Sequence, residues 1–195
     1  MYKKYFKRLF DLVIAIIALP FWVLILLIVG PLIYFSDRGS IFYNAPRLGK
    51  DGKVFKMYKF RSMKTNAPDI RNKDGSTFNS EDDPRLTRIG KFLRKTSIDE
   101  TPQLLNIIKG DMSLIGPRPD LPDAINIYVG EESLKLLVKP GITGYSQAFS
   151  RNKSDLRSKF AEDLFYVKNI SFLLDLRILL KTFETVLLQK NVFKH

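Results

Sequence analysis

The chain has 195 residues, enough for one folding unit around one core, and carries 32 Lys and Arg against 20 Asp and Glu, a formal net charge of +12. Cysteine is absent and the one histidine is His195. Structural zinc, thiol catalysis and a Ser/His/Asp triad are thereby excluded, and proton transfer or nucleophilic attack falls to Asp, Glu, Lys, Tyr or Ser.

From Leu12 to Phe35 no residue is charged. A helix of ~24 residues at ~1.5 Å each reaches about 36 Å, more than a hydrocarbon core of ~30 Å. The run is too long for a cleaved signal peptide, and no small-x-small site closes it. Pro20 removes a backbone donor and is expected to bend or break the helix. Lys3, Lys4, Lys7 and Arg8 precede the run, while Arg38, Arg47, Lys50 and Lys53 follow it. The positive-inside tendency therefore draws both flanks to one face. A re-entrant membrane helix over residues 1–36, broken at Leu19-Pro20, meets both demands; a straight single pass with a tolerated kink is the alternative.

Apolar and basic residues then alternate about an Asp51-Gly52 turn, which predicts a β-hairpin whose second strand carries Lys56, Lys59 and Arg61. A solvated strand face is the plain reading of those cations. Residues 67–84 are polar and read as a mobile loop, either a lid over a substrate or plain surface. Helical spacing resumes over Leu86–Leu93 and Leu104–Ile108, the latter closing at Gly110. Further helices are predicted over Pro122–Leu137, Ser154–Lys168 and Leu173–Leu188. The last is broadly apolar with a basic edge, suited to a core or to a membrane surface. The predicted class is α+β and mostly helical, with residues 37–195 forming one catalytic unit.

Ser97-Ile98-Asp99-Glu100 matches a capping box, with Ser97 as N-cap and acids in the first turn. The same placement suits catalysis: a carboxylate there has a depressed pKa and stays ionised, while free amides face a substrate phosphate. Arg118 lies in Gly116-Pro117-Arg118-Pro119-Asp120, where flanking prolines fix the backbone and present the guanidinium with less entropy to lose. Arg85, Arg88 and Arg94 are spaced so that one helical face presents all three, most often as surface charges, and Arg94 stands out for its closeness to Asp99. Neither G-x-x-x-x-G-K-[ST] nor G-x-G-x-x-G occurs. Anion binding then rests on side chains and a metal, and hard carboxylates meeting phosphate call for Mg²⁺.

Together, several ordered blocks resemble the bacterial sugar transferase family of monotopic phosphoglycosyl transferases. They are Lys7-Arg-x-Phe-Asp-Leu, the proline-interrupted apolar run, Lys59-Phe-Arg-Ser-Met, Asp83-Pro-Arg-x-Thr-x-x-Gly, Leu93-Arg-x-x-Ser-x-Asp-Glu-x-Pro-Gln-Leu-x-Asn, Gly110-Asp-Met-Ser-Leu-Ile-Gly-Pro-Arg-Pro and Pro140-Gly-Ile-Thr-Gly. The resemblance runs from about Lys7 to Leu188, and the length resembles that of the minimal single-domain members. It implies transfer of a sugar 1-phosphate from a UDP-sugar to undecaprenyl phosphate with release of UMP, at the cytoplasmic face of a bacterial inner membrane. By the resemblance Asp99 falls on the nucleophile and Glu100 on its partner carboxylate, the two also holding Mg²⁺. Arg94 and Arg118 fall on nucleotide- and phosphate-binding positions, with Lys59, Arg61 and Arg88 as further phosphate-binding candidates. Asp163 and Asp175 match recurrent acids of a structural kind. A homodimer or downstream glycosyltransferases are the expected protein partners, and nucleic acid is not expected. Two departures stand out: Thr101 where a leucine usually follows the acids, and Ala45 where many members carry glutamine. The alternative from another class is a membrane-anchored basic binding or scaffold protein without catalysis, which leaves the two acids and Gly-Pro-Arg-Pro unexplained.

Overall fold

The computed structural model describes residues 2–72, 78–151 and 155–188, with the Lys4 side chain outside that description. His195, Ser154 and part of the expected loop, residues 73–77, lie outside the described residues.

A π-helical turn, Tyr2–Phe6, leads into α1, Lys7–Asp37. Pro20 and Pro31 both lie inside α1, yet the helix is uninterrupted. Helical structure therefore runs on through Leu19-Pro20 with no turn or loop interrupting it; each proline forfeits one donor, which permits a bend without ending the helix. Well before Pro20, Ala15 packs with Ala45, Met57, Ile107 and Met112; beside and beyond it, Leu19, Trp22, Val29 and Ile33 pack with Phe60 and Leu93. Both ends are fastened to the same body. Lys7 Nζ pairs with Asp175 at 2.6 Å, and the Arg61 guanidinium forks onto Asp37 at 2.5 and 2.6 Å. The opposite face is bare, with Ile16, Ile17, Phe21, Leu24, Leu27, Ile28 and Phe35 between 58 and 77% exposed. By length and composition α1 suffices to cross a membrane.

The architecture is α+β, as expected. β1, Phe42–Leu48, and β2, Val54–Phe60, form the antiparallel hairpin, turning where Asp51 and Gly52 take positive φ. α2, Arg88–Thr96, is capped by Thr87 Oγ1, which accepts from the Gly90 amide at 2.9 Å. α3, Gln103–Lys109, ends at Gly110 with φ +94, the expected stop. A parallel pair, β3 at Ser113–Ile115 and β4 at Gly141–Thr143, was not foreseen, because three residues are too few to show a period. Between these strands two 3-10 segments, Pro122–Asn126 and Gly130–Leu137, replace the single helix expected over Pro122–Leu137. Gly130, the first residue of the second segment, sits at φ +57, a conformation through which the α-helix does not continue. α4, Tyr145–Phe149, was not separately expected, while α5, Leu156–Lys168, and α6, Phe172–Leu187, lie close to their predicted bounds.

Candidate active site

The stretch between α2 and α3 departs from its local signature. Ser97 adopts the left-handed conformation, φ 59, and closes α2 through its amide to the Arg94 carbonyl at 3.2 Å. Ile98–Glu100 then forms a 3-10 turn, so Ser97 makes no N-cap side-chain bond and the capping box is not formed. Its Oγ instead accepts from Arg151 Nη2 at 3.0 Å. Turning the chain this way puts the acids between the hairpin and the Gly116-Pro-Arg-Pro loop.

Asp99 is 7% exposed, and among the described residues no donor reaches its carboxylate within hydrogen-bond distance. Burial pushes its pKa up to about 6; Lys59 opposes the rise, Glu100 adds to it, and Arg94 and Arg118 oppose it. The depressed value expected for a first-turn acid is thus reversed, because desolvation outweighs the cations. Burial acts on Glu100 too, but Lys59 and Arg118 overcome it and hold that carboxyl down at about 2. The cause is direct: Lys59 Nζ on β2 donates to Glu100 Oε1 at 2.6 Å. The dyad is split into one group that resists ionising and one that stays ionised.

Cations surround the pair. Arg94 is held by Nε to Ser62 Oγ at 3.0 Å; burial lowers its pKa and Asp99 raises it. Arg151 is likewise lowered by burial and raised by Glu100. Arg47 is lowered by burial and by its proximity to Arg118. Arg118 itself is exposed at the end of β3. Its loop is anchored two residues on, where Asp120 Oδ2 accepts from Lys135 Nζ at 2.7 Å and from the Tyr128 hydroxyl at 2.8 Å. Lys135 also donates to Asp163 at 2.6 Å, and Asp163 accepts from Ser146 Oγ at 2.8 Å. Asp163 therefore buttresses the arginine loop. Asp175 accepts from Lys7 and Tyr2 at 2.6 Å and from Tyr166 at 2.7 Å, joining the start of α1 to α5 and α6.

Some expected cations are placed elsewhere. Arg61 is committed to Asp37, and Arg88 is exposed at the first residue of α2. Arg85 precedes α2 and is buried against Asp83, Nη2 to Oδ2 at 2.7 Å, while Nη1 bonds the Pro68 carbonyl and closes the base of the polar loop. The three arginines therefore do not share a helical face. Arg47 and Arg151 were missed. Arg47 is preceded by proline, as Arg118 is, and could have been found by that sign; Arg151 reaches Ser97 from 54 residues away and carries no local signal. Ala45 is fully buried against Ala15, a contact that a glutamine side chain would not fit.

Among the described residues no three His, Cys, Asp or Glu side chains gather to hold a metal. The donor set at positions 99 and 100 is two hard carboxylates with one Glu100 oxygen engaged by Lys59. That fits Mg²⁺, which commonly takes one or two protein carboxylates and completes its shell with substrate oxygens.

The family described as "Bacterial sugar transferase" matches residues 2–189. The exopolysaccharide production protein ExoY of Sinorhizobium fredii is 41% identical, the match covering 96% of this chain and 88% of that protein. An uncharacterized sugar transferase, EpsL of Bacillus subtilis, is 42% identical over 95% of this chain and 89% of its own length. The undecaprenyl-phosphate galactose phosphotransferase of Salmonella typhimurium is 38% identical over 97% of this chain, which spans 42% of that longer protein.

Proposed function

This chain belongs to the bacterial sugar transferase family, and we propose that it moves a sugar 1-phosphate from a UDP-sugar to undecaprenyl phosphate by way of a phosphosugar carried on Asp99, as the first membrane step of a surface glycan. The protein is a transferase. The substrate classes are supported by the name of the Salmonella relative. The covalent step is supported by one observation above the rest: a buried carboxylate without a hydrogen-bond donor, beside a second carboxylate that Lys59 keeps ionised, inside a ring of arginines.

An Asp99 carboxylate oxygen attacks the phosphorus bearing the sugar, a P–O bond forms, and the bond from that phosphorus to the bridging oxygen breaks, releasing UMP. Lack of hydrogen bonds leaves the Asp99 oxygens unshielded for attack, while Arg94, Arg118 and Arg151 offset charge on the phosphates. Mg²⁺ held by Asp99 and Glu100 would neutralise phosphate oxygens and the leaving group. In the second step an oxygen of undecaprenyl phosphate attacks the same phosphorus and Asp99 departs as a carboxylate, while Glu100 stays ionised beside Lys59. Two displacements let a soluble donor and a membrane-bound acceptor meet one residue in turn.

The purified chain, given the correct UDP-sugar and Mg²⁺ but no lipid acceptor, is expected to release about one UMP per protein in a burst. No UMP from any of a panel of UDP-sugars, or continued release far beyond one equivalent, would count against the covalent route.

Because both ends of α1 are fastened to one body and Pro20 lacks the donor that would hold the helix straight, a helix that bends at Leu19-Pro20 and enters and leaves by the same face is favoured over a span. Cysteines placed at Lys3 and Ser40 are expected to be labelled from the cytoplasmic side only. Labelling from opposite sides restores the straight span.

A further inference from the structure

The foot of α1 carries a group of cations that the transfer chemistry does not use. Arg8 donates from Nη1 to the Ile107 carbonyl at 2.7 Å and from Nη2 to the Ile108 carbonyl at 3.3 Å, so the open carbonyls at the end of α3 fix its guanidinium. The chain then turns at Gly110, whose positive φ and missing side chain leave the turn uncovered. Where a Cβ would stand on Gly110, Arg8 Nη2 and Lys139 Nζ each lie 3.5 Å away. Two cations thus converge on one spot.

Lys50, from the hairpin turn, adds to the same field. Burial depresses the Lys139 pKa, Arg8 and Lys50 depress it further, and Asp11 and Asp111 oppose them. Both of those acids are already engaged: Asp111 lies 3.6 Å from Lys109 and accepts from Asn106, and Asp11 accepts from the Leu114 amide at 2.9 Å. Among the described residues neither Lys139 nor Lys50 has a carboxylate partner. Like charges brought together on a half-buried spot call for an anion to complete them. Arg8 has five N–H donors and gives two to the carbonyls, so donors remain for such an anion.

Location supplies the identity. Directly after Arg8 the exposed side chains of Leu9, Phe10 and Val13 begin the bare apolar face of α1. With that face in hydrocarbon, the cations stand at the depth of the lipid phosphates. We propose that Arg8 and Lys139 bind the phosphate of an anionic membrane phospholipid, with Lys50 adding to the attracting field, and fix how deeply α1 is seated. The proposal rests on α1 entering lipid, as in the reading above, and is independent of the transfer chemistry.

The test uses the full chain reconstituted in phosphatidylcholine bilayers with spin-labelled phosphatidylglycerol or spin-labelled phosphatidylcholine as probe. Lys139→Gln with Lys50→Gln is expected to lower selectivity for phosphatidylglycerol by roughly fivefold per lysine, to leave phosphatidylcholine association unchanged, and to leave the UMP burst in detergent at its wild-type size. Lys91→Gln with Lys95→Gln, on α2, is the charge-matched control and is expected to keep the selectivity. An equal loss in the control would assign the effect to diffuse charge and overturn the site, as would unchanged selectivity in the first variant. Displacement of the labelled lipid by inorganic phosphate, or by undecaprenyl phosphate at a lower mole fraction than unlabelled phosphatidylglycerol, would give the group to a free anion or to the acceptor and overturn it too. A missing burst in the wild type sinks the transfer reading alone.

Discussion

Asp99→Asn is expected to release no UMP above background, a loss on the order of 10³-fold or more, and at the same time to make the metal-free protein more heat-stable near neutral pH. The first half follows from removing the oxygen that attacks phosphorus. The second follows from burial. Folding raises the Asp99 pKa from 3.8 to about 6, so between those values the folded chain holds a proton that the unfolded chain has lost. Stability attributable to this group is full below the unfolded pKa, falls as pH rises through the window, and stays low above it. Asparagine has no such titration. The variant's gain in melting temperature, measured in EDTA, is accordingly expected to be largest above about pH 6.5 and to fade below about pH 4. UMP release surviving the substitution would remove Asp99 from the reaction, and a stability difference that does not change with pH would show that burial does not set its pKa.

Lys135→Met carries the largest expected cost in folding. The ammonium is 3% exposed and lies between Asp120 at 2.7 Å and Asp163 at 2.6 Å. Removing it strands two carboxylates, and breaking such a buried pair typically costs about 3–5 kcal/mol. For a chain of this size that corresponds to a melting temperature lower by about 10 °C. Function is expected to suffer separately, because the Asp120 side chain then holds the loop that presents Arg118 through Tyr128 alone, and the KM for the UDP-sugar is expected to rise more than kcat falls. Adding Asp163→Asn removes one stranded charge and is expected to recover part of the stability without recovering the KM. A Lys135→Met protein that melts with the wild type would mean the cluster contributes nothing to the fold.

Much of the architecture could be read locally. The hairpin follows from alternation about Asp51-Gly52, the end of α3 from Gly110, and the apolar length of α1 from composition. The position of the two acids was legible as well, but their character was not. Ser97 fits a capping box by spelling, while the left-handed turn that it takes is set by how α2, the acids and α3 pack on the hairpin. The pKa of Asp99 was expected on the wrong side for the same reason, since burial belongs to the folded chain and not to a window of sequence. Lys59 was read as a phosphate ligand or a solvated strand residue; its partner Glu100 is 41 residues away, beyond any local pattern. The β3–β4 pair escaped because strands of three residues leave no periodic trace. At Pro20 the helix runs on without an interruption, with Ala15 and Trp22 packed on either side.

Asp175 binds Lys7 across 168 positions of chain, which sets a schedule for biogenesis. The apolar helix leaves the ribosome well before α6 and meets the bilayer while the residue that will fasten its base has yet to be translated. Until α6 emerges, Tyr2, Lys7 and Tyr166 lack their common acceptor, so the nascent protein waits at the membrane with its founding segment unmoored. Closure of this link consequently waits for α6 and not for the insertion of α1.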